Sequence, residues 1–286
     1  MKIIPLAFDS MGTRSMATYV ETKDVKLIID PAVALAPKRF GLPPHPKEVE
    51  RLGEHWTEIK KKAANCDILV VTHYHYDHHD PDEGGIYKDK TAMLKDPTHH
   101  INKSQTGRSK VFLENLDSLL GRPKEVLYTD GKEFRYGDTS LRFSPPMTHG
   151  FDGRLGYVTE VVVDDGVSRF LHSSDVLGPC TKEQTDYIVT ENPETAFIDG
   201  PMYFSVREAI NNLKRIIDET DIKTLVVDHH LLRDPRWREK IAEVFAEAEK
   251  KGGVRVLTAA GFLGRGDDLL ESKRKELWKL YPDTEK

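Results

Sequence analysis

Val70-Val71-Thr72-His73-Tyr74-His75-Tyr76-Asp77-His78-His79-Asp80 opens as an apolar strand and then sets four of the chain's 12 histidines beside two carboxylates. Imidazoles and carboxylates converging from one short segment are the donors that divalent transition metals take. With Ile68 to Val71 read as a buried strand, the chain leaves its carboxyl end at Thr72. His73 and His75, two residues apart in extended chain, then point to one side and can share one ion. Asp77 and His78 lie on the turn that follows, within reach of a second. A closed structural zinc site tends to use cysteine, and the chain has 2 in 286 residues.

Three further groups fall at expected strand ends, where open α/β sheets collect functional residues. His149 follows 141–144 and the turn-like Pro145-Pro146, Asp175 follows 170–174, and His229-His230 follows 225–228. Taken singly, His149 or Asp175 suits a local hydrogen bond as well as it suits ligation.

Taken in order, His-x-His-x-Asp-His, a lone His, an Asp after a strand and a His after a late strand resemble the metallo-β-lactamase superfamily. The resemblance runs from Asp30, which closes Leu27-Ile28-Ile29, to the His229-His230 pair. Met11-Gly12-Thr13-Arg14-Ser15 and Ile198-Asp199-Gly200-Pro201 make the chain similar to an archaeal branch of that superfamily, which fixes no substrate. The resemblance implies an α/β fold, an αββα sandwich of two mixed β-sheets flanked by helices. It also implies two divalent metal ions, zinc by default, with manganese and iron as alternatives. His73, His75 and His149 would hold one ion. Asp77, His78 and either His229 or His230 would hold the other, with Asp175 bridging. His229 comes first after the strand and is preferred, which leaves His230, with Asp77, as the catalytic candidates. Members of the superfamily often have Gly soon after the first motif, whereas here His79-Asp80-Pro81 follows. His79 is an outer donor or a bystander, and Asp80 fits a helix N-cap before an N1 proline.

Two ions roughly 3.5–4 Å apart can share a water, bring its pKa to about neutrality and present it as hydroxide. Such a site needs no Ser or Cys nucleophile. The sequence has no Gly-x-Ser-x-Gly elbow, and Cys66 and Cys180 carry no motif, so packing is expected of both. The expected reaction is attack of a metal-bound hydroxide on an ester, lactone or phosphoester of an anionic small molecule. The alternatives are a nuclease that grips RNA or DNA and a non-catalytic metal-binding protein. Asp30, Thr72, Asp199 and Asp228, each at a strand end, are candidates to orient the imidazoles, or else turn-formers.

The chain has 286 residues and no Pro/Gly/Ser linker, so one domain over 1–286 is expected, with insertions near 31–64 and 82–120. Hydrophobic residues at 38% and charged ones at 31%, without an apolar run of bilayer length, describe a soluble protein. Few cysteines and an N-terminus that reads as a first strand point to the cytoplasm. The balance of 42 basic and 47 acidic residues, −5 overall, argues against a broad nucleic-acid face. Residues 88–110 are locally basic and follow the metal motif, which suggests an anion-binding lid or a solvated insertion. There Lys103, Ser104, Gln105 and Arg108 are the candidate substrate-binding donors.

Apolar alternation predicts strands at 3–8, 16–20, 25–29, 68–71, 140–143, 156–163, 168–172, 196–198, 224–227 and 254–257. Helical spacing links Val49, Leu52, Trp56 and Ile59, and likewise Val206, Ile210, Leu213 and Ile217, the latter behind a Ser205-Val206-Arg207-Glu208 capping box. A third helix runs from Asp234-Pro235 through Trp237, Ile241, Val244 and Phe245 to Gly252-Gly253. Tyr74 and Tyr76 alternate with the ligand positions and are expected to pack, with substrate contact as the alternative. Arg154 is expected at the surface, and 31–46, with Lys38 and Arg39, as irregular chain.

Overall fold

Both faces of the strand Ile68–Val71 are buried, and this sets how the layers stack. Ile68 and Val70 enter one apolar cluster while Leu69 and Val71 enter another, the period-two alternation of a strand covered on both sides. The computed structural model describes residues 1–118, 121–202 and 206–282. Its first sheet has six strands in chain order: β1 (Lys2–Phe8), β2 (Met16–Glu21), β3 (Lys26–Ile29), β4 (Ile68–Val71), β5 (Thr91–Leu94) and β6 (Glu125–Tyr128). β1 to β3 pair antiparallel, and β3 to β6 pair parallel.

The chain then forms β7 (Glu133–Tyr136) and β8 (Thr139–Phe143), and a small ribbon of β9 (Met147–Thr148) and β10 (Tyr157–Val158). It continues through β11 (Val161–Asp164), β12 (Arg169–His172), β13 (Thr195–Asp199), β14 (Thr224–Asp228) and β15 (Arg255–Leu257). The second sheet has seven strands ordered β15-β14-β13-β12-β11-β8-β7, parallel from β12 to β15 and antiparallel elsewhere.

The two sheets meet face to face. Phe8, Leu27, Val70 and Met93 of the first share a cluster with Phe143, Phe170, Phe197 and Val226 of the second. Helices close the outer faces. Over the first sheet, α1 (Pro46–Ala63) and α2 (Lys103–Leu116) bury Ile59, Ala63, Phe112 and Leu116 against Leu69, Val71, Ala92 and Leu94. Over the second, α3 (Lys182–Glu191), α4 (Val206–Glu219), α5 (Trp237–Lys240) and α6 (Ala242–Lys251) bury Ile188, Leu213, Ile217, Trp237 and Val244 against Leu225 and Val227. The short α7 (Ala259–Phe262) and α8 (Arg274–Leu280) complete the chain. The layers run helix, sheet, sheet, helix, the αββα sandwich of mixed sheets that the sequence resemblance implied.

Several elements depart from the expectation. Residues 88–110, expected as a lid or insertion, contain the buried interior strand β5 and the first part of α2. Three apolar residues, Ala92 to Leu94, between charged flanks are too few to register against a basic stretch. The expected strand 156–163 is split between β10 and β11, which belong to different sheets. The third expected helix breaks at Ile241, where φ is −109°. The Ser205 of the expected capping box lies outside the described residues. Val49, placed on the core face of α1, is 54% exposed, while its neighbour Glu48 is buried.

Arg274 explains Glu48. Its Nε and Nη2 each donate to the Glu48 carboxylate at 2.8 Å, and Nη1 donates to the Ala36 and Leu42 carbonyls at 2.9 and 3.1 Å. One fully buried guanidinium thus ties α8 to the start of α1 and to the irregular chain before it. Removing the carboxylate leaves that charge buried without its partner, a cost of about 3–5 kcal/mol. Glu48→Ala is therefore expected to lower the urea midpoint strongly; a midpoint within error of wild type would show the pair to be dispensable.

Candidate metal centre

The site lies at the carboxyl ends of β1, β3, β4, β12, β13 and β14, where each strand stops and its next residues turn into the gap between the sheets. Three of these turns use left-handed backbone at a non-glycine residue: Asp30 (φ 53°), Ser174 (φ 56°) and His229 (φ 58°). Each such residue costs on the order of 1–3 kcal/mol and persists only where its surroundings hold it. After β4, the amides of His78 and His79 both donate to the His75 carbonyl, at 2.9 and 3.1 Å, and this tight turn brings the imidazoles together. His73 and His75 have ring centres 4.7 Å apart, and His73 and His78 4.2 Å.

Four donor groups result among the described residues: Asp30, His73 and His78 form one, Asp175, Asp199 and His230 another, and the remaining two hold the expected ligands. His73, His75, His149 and Asp175 each offer an atom within 4.8 Å of the others, and so do Asp77, His78, Asp175 and His229. Asp175 belongs to both, one oxygen to each. Its Oδ2 lies 3.5 Å from His73 Nε2 and 3.8 Å from His149 Nε2, while its Oδ1 lies 2.9 Å from His78 Nε2 and 3.2 Å from His229 Nε2. Asp77 Oδ2 is 3.7 Å from His229 Nε2.

The outer ring nitrogens of His73, His78, His229 and His230 are anchored. Asp30 accepts from His78 Nδ1 at 2.8 Å, and also from the Thr72 amide and hydroxyl at 2.8 and 2.7 Å. Asp9 accepts from His229 Nδ1 at 2.7 Å and from Arg233 Nε at 3.0 Å. Asp199 accepts from His230 Nδ1 at 3.0 Å. Ser174 Oγ sits 3.3 Å from His73 Nδ1 and 2.6 Å from Thr72 Oγ1. Such partners fix which imidazole nitrogen faces inward. Asp228 does something else: it accepts the amides of Ser10, His229 and Ala259 at 2.7–3.0 Å and ties three segments together.

Most of the inward atoms have no hydrogen-bond partner; the exception is His229 Nε2, 3.2 Å from Arg233 Nη2. His73 Nε2, His78 Nε2, His149 Nε2 and Asp175 Oδ1 are buried without one, and so is the outer Nδ1 of His149. Leaving so many polar atoms unmatched costs on the order of 1–3 kcal/mol each, unless a cation takes them. Burial holds the His73 and His149 rings well below the usual histidine range, so both keep a lone pair for a metal. At His78 burial again opposes charge, but Asp175 and Asp30 outweigh it and push the ring well above that range. His229 is pushed up to about 10 in the same way, Asp175 and Asp9 overcoming burial. Burial raises Asp77 and Asp175, yet the cationic neighbours win and hold both carboxyls below the usual carboxylate range. A buried carboxylate with imidazoles facing each of its oxygens suits two adjacent cation positions. The donor set fits a pair of divalent metals.

No protein-family model matches the chain. A UPF0282 protein of Korarchaeum cryptofilum is 46% identical over 298 residues, covering 100% of this chain and 97% of its own. The chain belongs to the UPF0282 family. Another member, from Methanocaldococcus jannaschii, is 41% identical over 97% of this chain and 96% of its own. Among solved structures, the UPF0282 fold is similar to the metallo-β-lactamase fold protein YhfI of Bacillus subtilis, at TM-score 0.51 and 16% identity over 86% of this chain and 89% of that one. Isothiocyanate hydrolase from Delia radicum gut bacteria gives 0.54 and 16% over 86% and 94%. Yeast PDE1 gives 0.55 and 13% over 90% and 96%. These likenesses establish the metallo-β-lactamase fold for the UPF0282 chain.

A pocket of about 590 Å³ opens onto the donor groups, lined by His75, Asp77, His149, Asp175 and His230 together with Arg14, Arg108 and Arg233. Of the four expected substrate-binding donors only Arg108 lines it. Lys103 and Ser104 are exposed, and Gln105 is buried, its amide holding the Tyr157 amide and carbonyl at 3.2 and 3.3 Å. The helix α2 turns these side chains to different faces, which a loop reading could not anticipate. Tyr76, expected to pack, is 48% exposed on the pocket wall, while Tyr74 is buried and donates to the Lys95 carbonyl at 2.5 Å. His79 braces the motif through its Nδ1, 3.0 Å from the His75 carbonyl. Cys66 and Cys180 are buried, and burial pushes each thiol up to about 12. Arg154 is exposed and pairs with Asp152 at 2.9 Å.

The sequence reading missed Asp9, Ser174 and Arg233. Asp9 directly follows β1, so its strand-end position was the available signal. The His229-His230 doublet separates by geometry. His229 Nε2 faces Asp175 and Asp77, whereas His230 holds Asp199 and lines the pocket. Elemental analysis of His229→Ala after gel filtration is expected to show metal lost from one position, with His230→Ala at the wild-type content. Equal loss from both variants would contradict this division.

Proposed function

We propose that this UPF0282 protein is a binuclear metal-dependent hydrolase acting on an ester, lactone or phosphoester of an anionic small molecule. The observation that carries the proposal is the division of the Asp175 carboxylate, one oxygen toward each of two imidazole sets. His73, His75 and His149 would hold one ion, and Asp77, His78 and His229 the other, with Asp175 between them. Zinc is the default, since it accepts nitrogen and oxygen donors, and manganese or iron would suit the same set. When bound, the ions would supply Lewis-acid activation of the attacking water and of the scissile group.

The chain's own groups do the rest. Asp199 and His230 form a buried pair: burial pushes the imidazole well below its ordinary range and the carboxyl well above. With Nδ1 tied to Asp199, the Nε2 of His230 is the nitrogen left for the pocket. There it would take a proton from the attacking water and return it to the departing oxygen. Arg14 and Arg233 line the pocket too, but Glu271 neutralises the first and Asp9 the second. Arg108 contacts the Tyr74 carbonyl at 3.5 Å and lies 4.5 Å over the Tyr76 ring, and it has no carboxylate partner among the described residues. Its charge would meet an anionic substrate.

A nuclease reading has less support, since the formal net charge is −5 and the basic stretch 88–110 brings Arg108 alone to the pocket. Among the described residues no helix is long and apolar enough to cross a membrane. Two free, buried cysteines suit a reducing compartment such as the cytoplasm. The test is hydrolysis of an ester, lactone and phosphoester panel by the zinc-loaded protein. His230→Ala is expected to keep its metal and lose roughly 10²–10⁴-fold in kcat, and Asp77→Ala to lose turnover altogether. No hydrolysis across the panel by fully loaded wild-type protein would contradict the proposal.

A further inference from the structure

Next to the metal pocket lies a second cavity of about 350 Å³, lined by His149, Gly150, Phe151, Asp152, Arg154, Leu155 and Leu177. His149 and Leu155 border both cavities, so the two are lobes of one depression. The added lobe is walled mainly by Phe151, Leu155 and Leu177. Phe151 is 45% exposed and Leu155 is 44% exposed. Apolar side chains beside a polar site are informative when they have not simply been left on a loose loop.

This loop is clamped along its length. Gln184 Nε2 donates to the Thr148 and Gly150 carbonyls at 2.8 and 3.2 Å, and Asn102 Nδ2 donates to the Arg154 carbonyl at 2.9 Å. Gln105 closes the far end through both polar atoms of Tyr157. Glycines permit the close approach. A Cβ on Gly150 would lie 2.9 Å from Leu177, and one on Gly156 would lie 2.3 Å from Gln105, both at positive φ. Three amide side chains from two helices and their flanks thus fix a loop whose ring and isobutyl group face solvent beside the donor atoms. Holding an aromatic side chain in water on a rigid frame has no folding benefit, but it preorganises a binding surface.

We infer that residues 149–156 form the substrate-recognition loop, and that the substrate joins an anionic group, held near Arg108 and the metals, to an aryl or branched-alkyl group seated on Phe151, Leu155 and Leu177. This rests on the hydrolase reading above for the placement of the anion, and it adds the apolar half. Arg108 lies on α2, which also carries Gln105, so one helix sets the cation and clamps the apolar loop. A purely polar anion would leave the second lobe unfilled.

Binding of non-hydrolysable phosphonates to zinc-loaded protein, with metal content measured first, separates the two claims. Phenylphosphonate is expected to bind roughly tenfold or more tightly than methylphosphonate, the gain from burying a ring. The double variant Phe151→Ser, Leu155→Ser should erase that difference at unchanged metal content, and Arg108→Ala should weaken both ligands. Equal affinities for the two phosphonates, or failure of both to bind loaded protein, would overturn the bipartite substrate. Hydrolysis of the ester panel alongside either result would leave the hydrolase reading intact. Protein that takes up no zinc would overturn both.

Discussion

Asp175 is a fully buried carboxylate that no hydrogen-bond donor satisfies at Oδ1 and that four imidazoles surround. A charge so placed is sustained only by opposite charge within a few ångströms, and the architecture of the sandwich follows from supplying it. Two parallel strand edges, one from each sheet, have to end at the same depth in the gap. The left-handed turns at Asp30, Ser174 and His229 aim their side chains into that gap. Loosening any of them would separate the imidazoles from the carboxylate and leave several buried polar atoms unpaired.

The outer layer of carboxylates extends the same logic outward. Asp9, Asp30 and Asp199 come from three strands of two sheets, and each holds the outer nitrogen of a different histidine. Asp228 uses its oxygens on three backbone amides and fixes the peptide that precedes His229. A histidine held at one nitrogen can present only the other. That distinguishes His229, which faces Asp175, from His230, which is adjacent in sequence yet belongs to the pocket wall.

Much of this was legible from residue order. Strands buried on both faces stand out as apolar runs, so β4, β12, β13 and β14 and the groups at their ends could be read directly. The short β5 could not, because charged flanks masked three apolar residues. Edge strands β6 and β7, with exposed alternating positions, gave too weak a pattern. Helix α1 was found by its apolar spacing, and Leu52, Trp56 and Ile59 do pack on the core, but the exposure of Val49 was not anticipated, nor the burial of Glu48, which depends on Arg274, 226 positions away. The same limit applies to the site. Spacing brought His73, His75, Asp77 and His78 together, but whether Lys103, Ser104, Gln105 or Arg108 meets a ligand depends on the rotation of α2. Arg233 acts through tertiary contact alone.

The most direct test is anomalous diffraction from crystals of the metal-loaded protein, collected on either side of the metal absorption edge. The account predicts two peaks roughly 3.5–4 Å apart, one among His73, His75 and His149 and the other among Asp77, His78 and His229, with Asp175 touching both. A single peak, or peaks remote from Asp175, would contradict it.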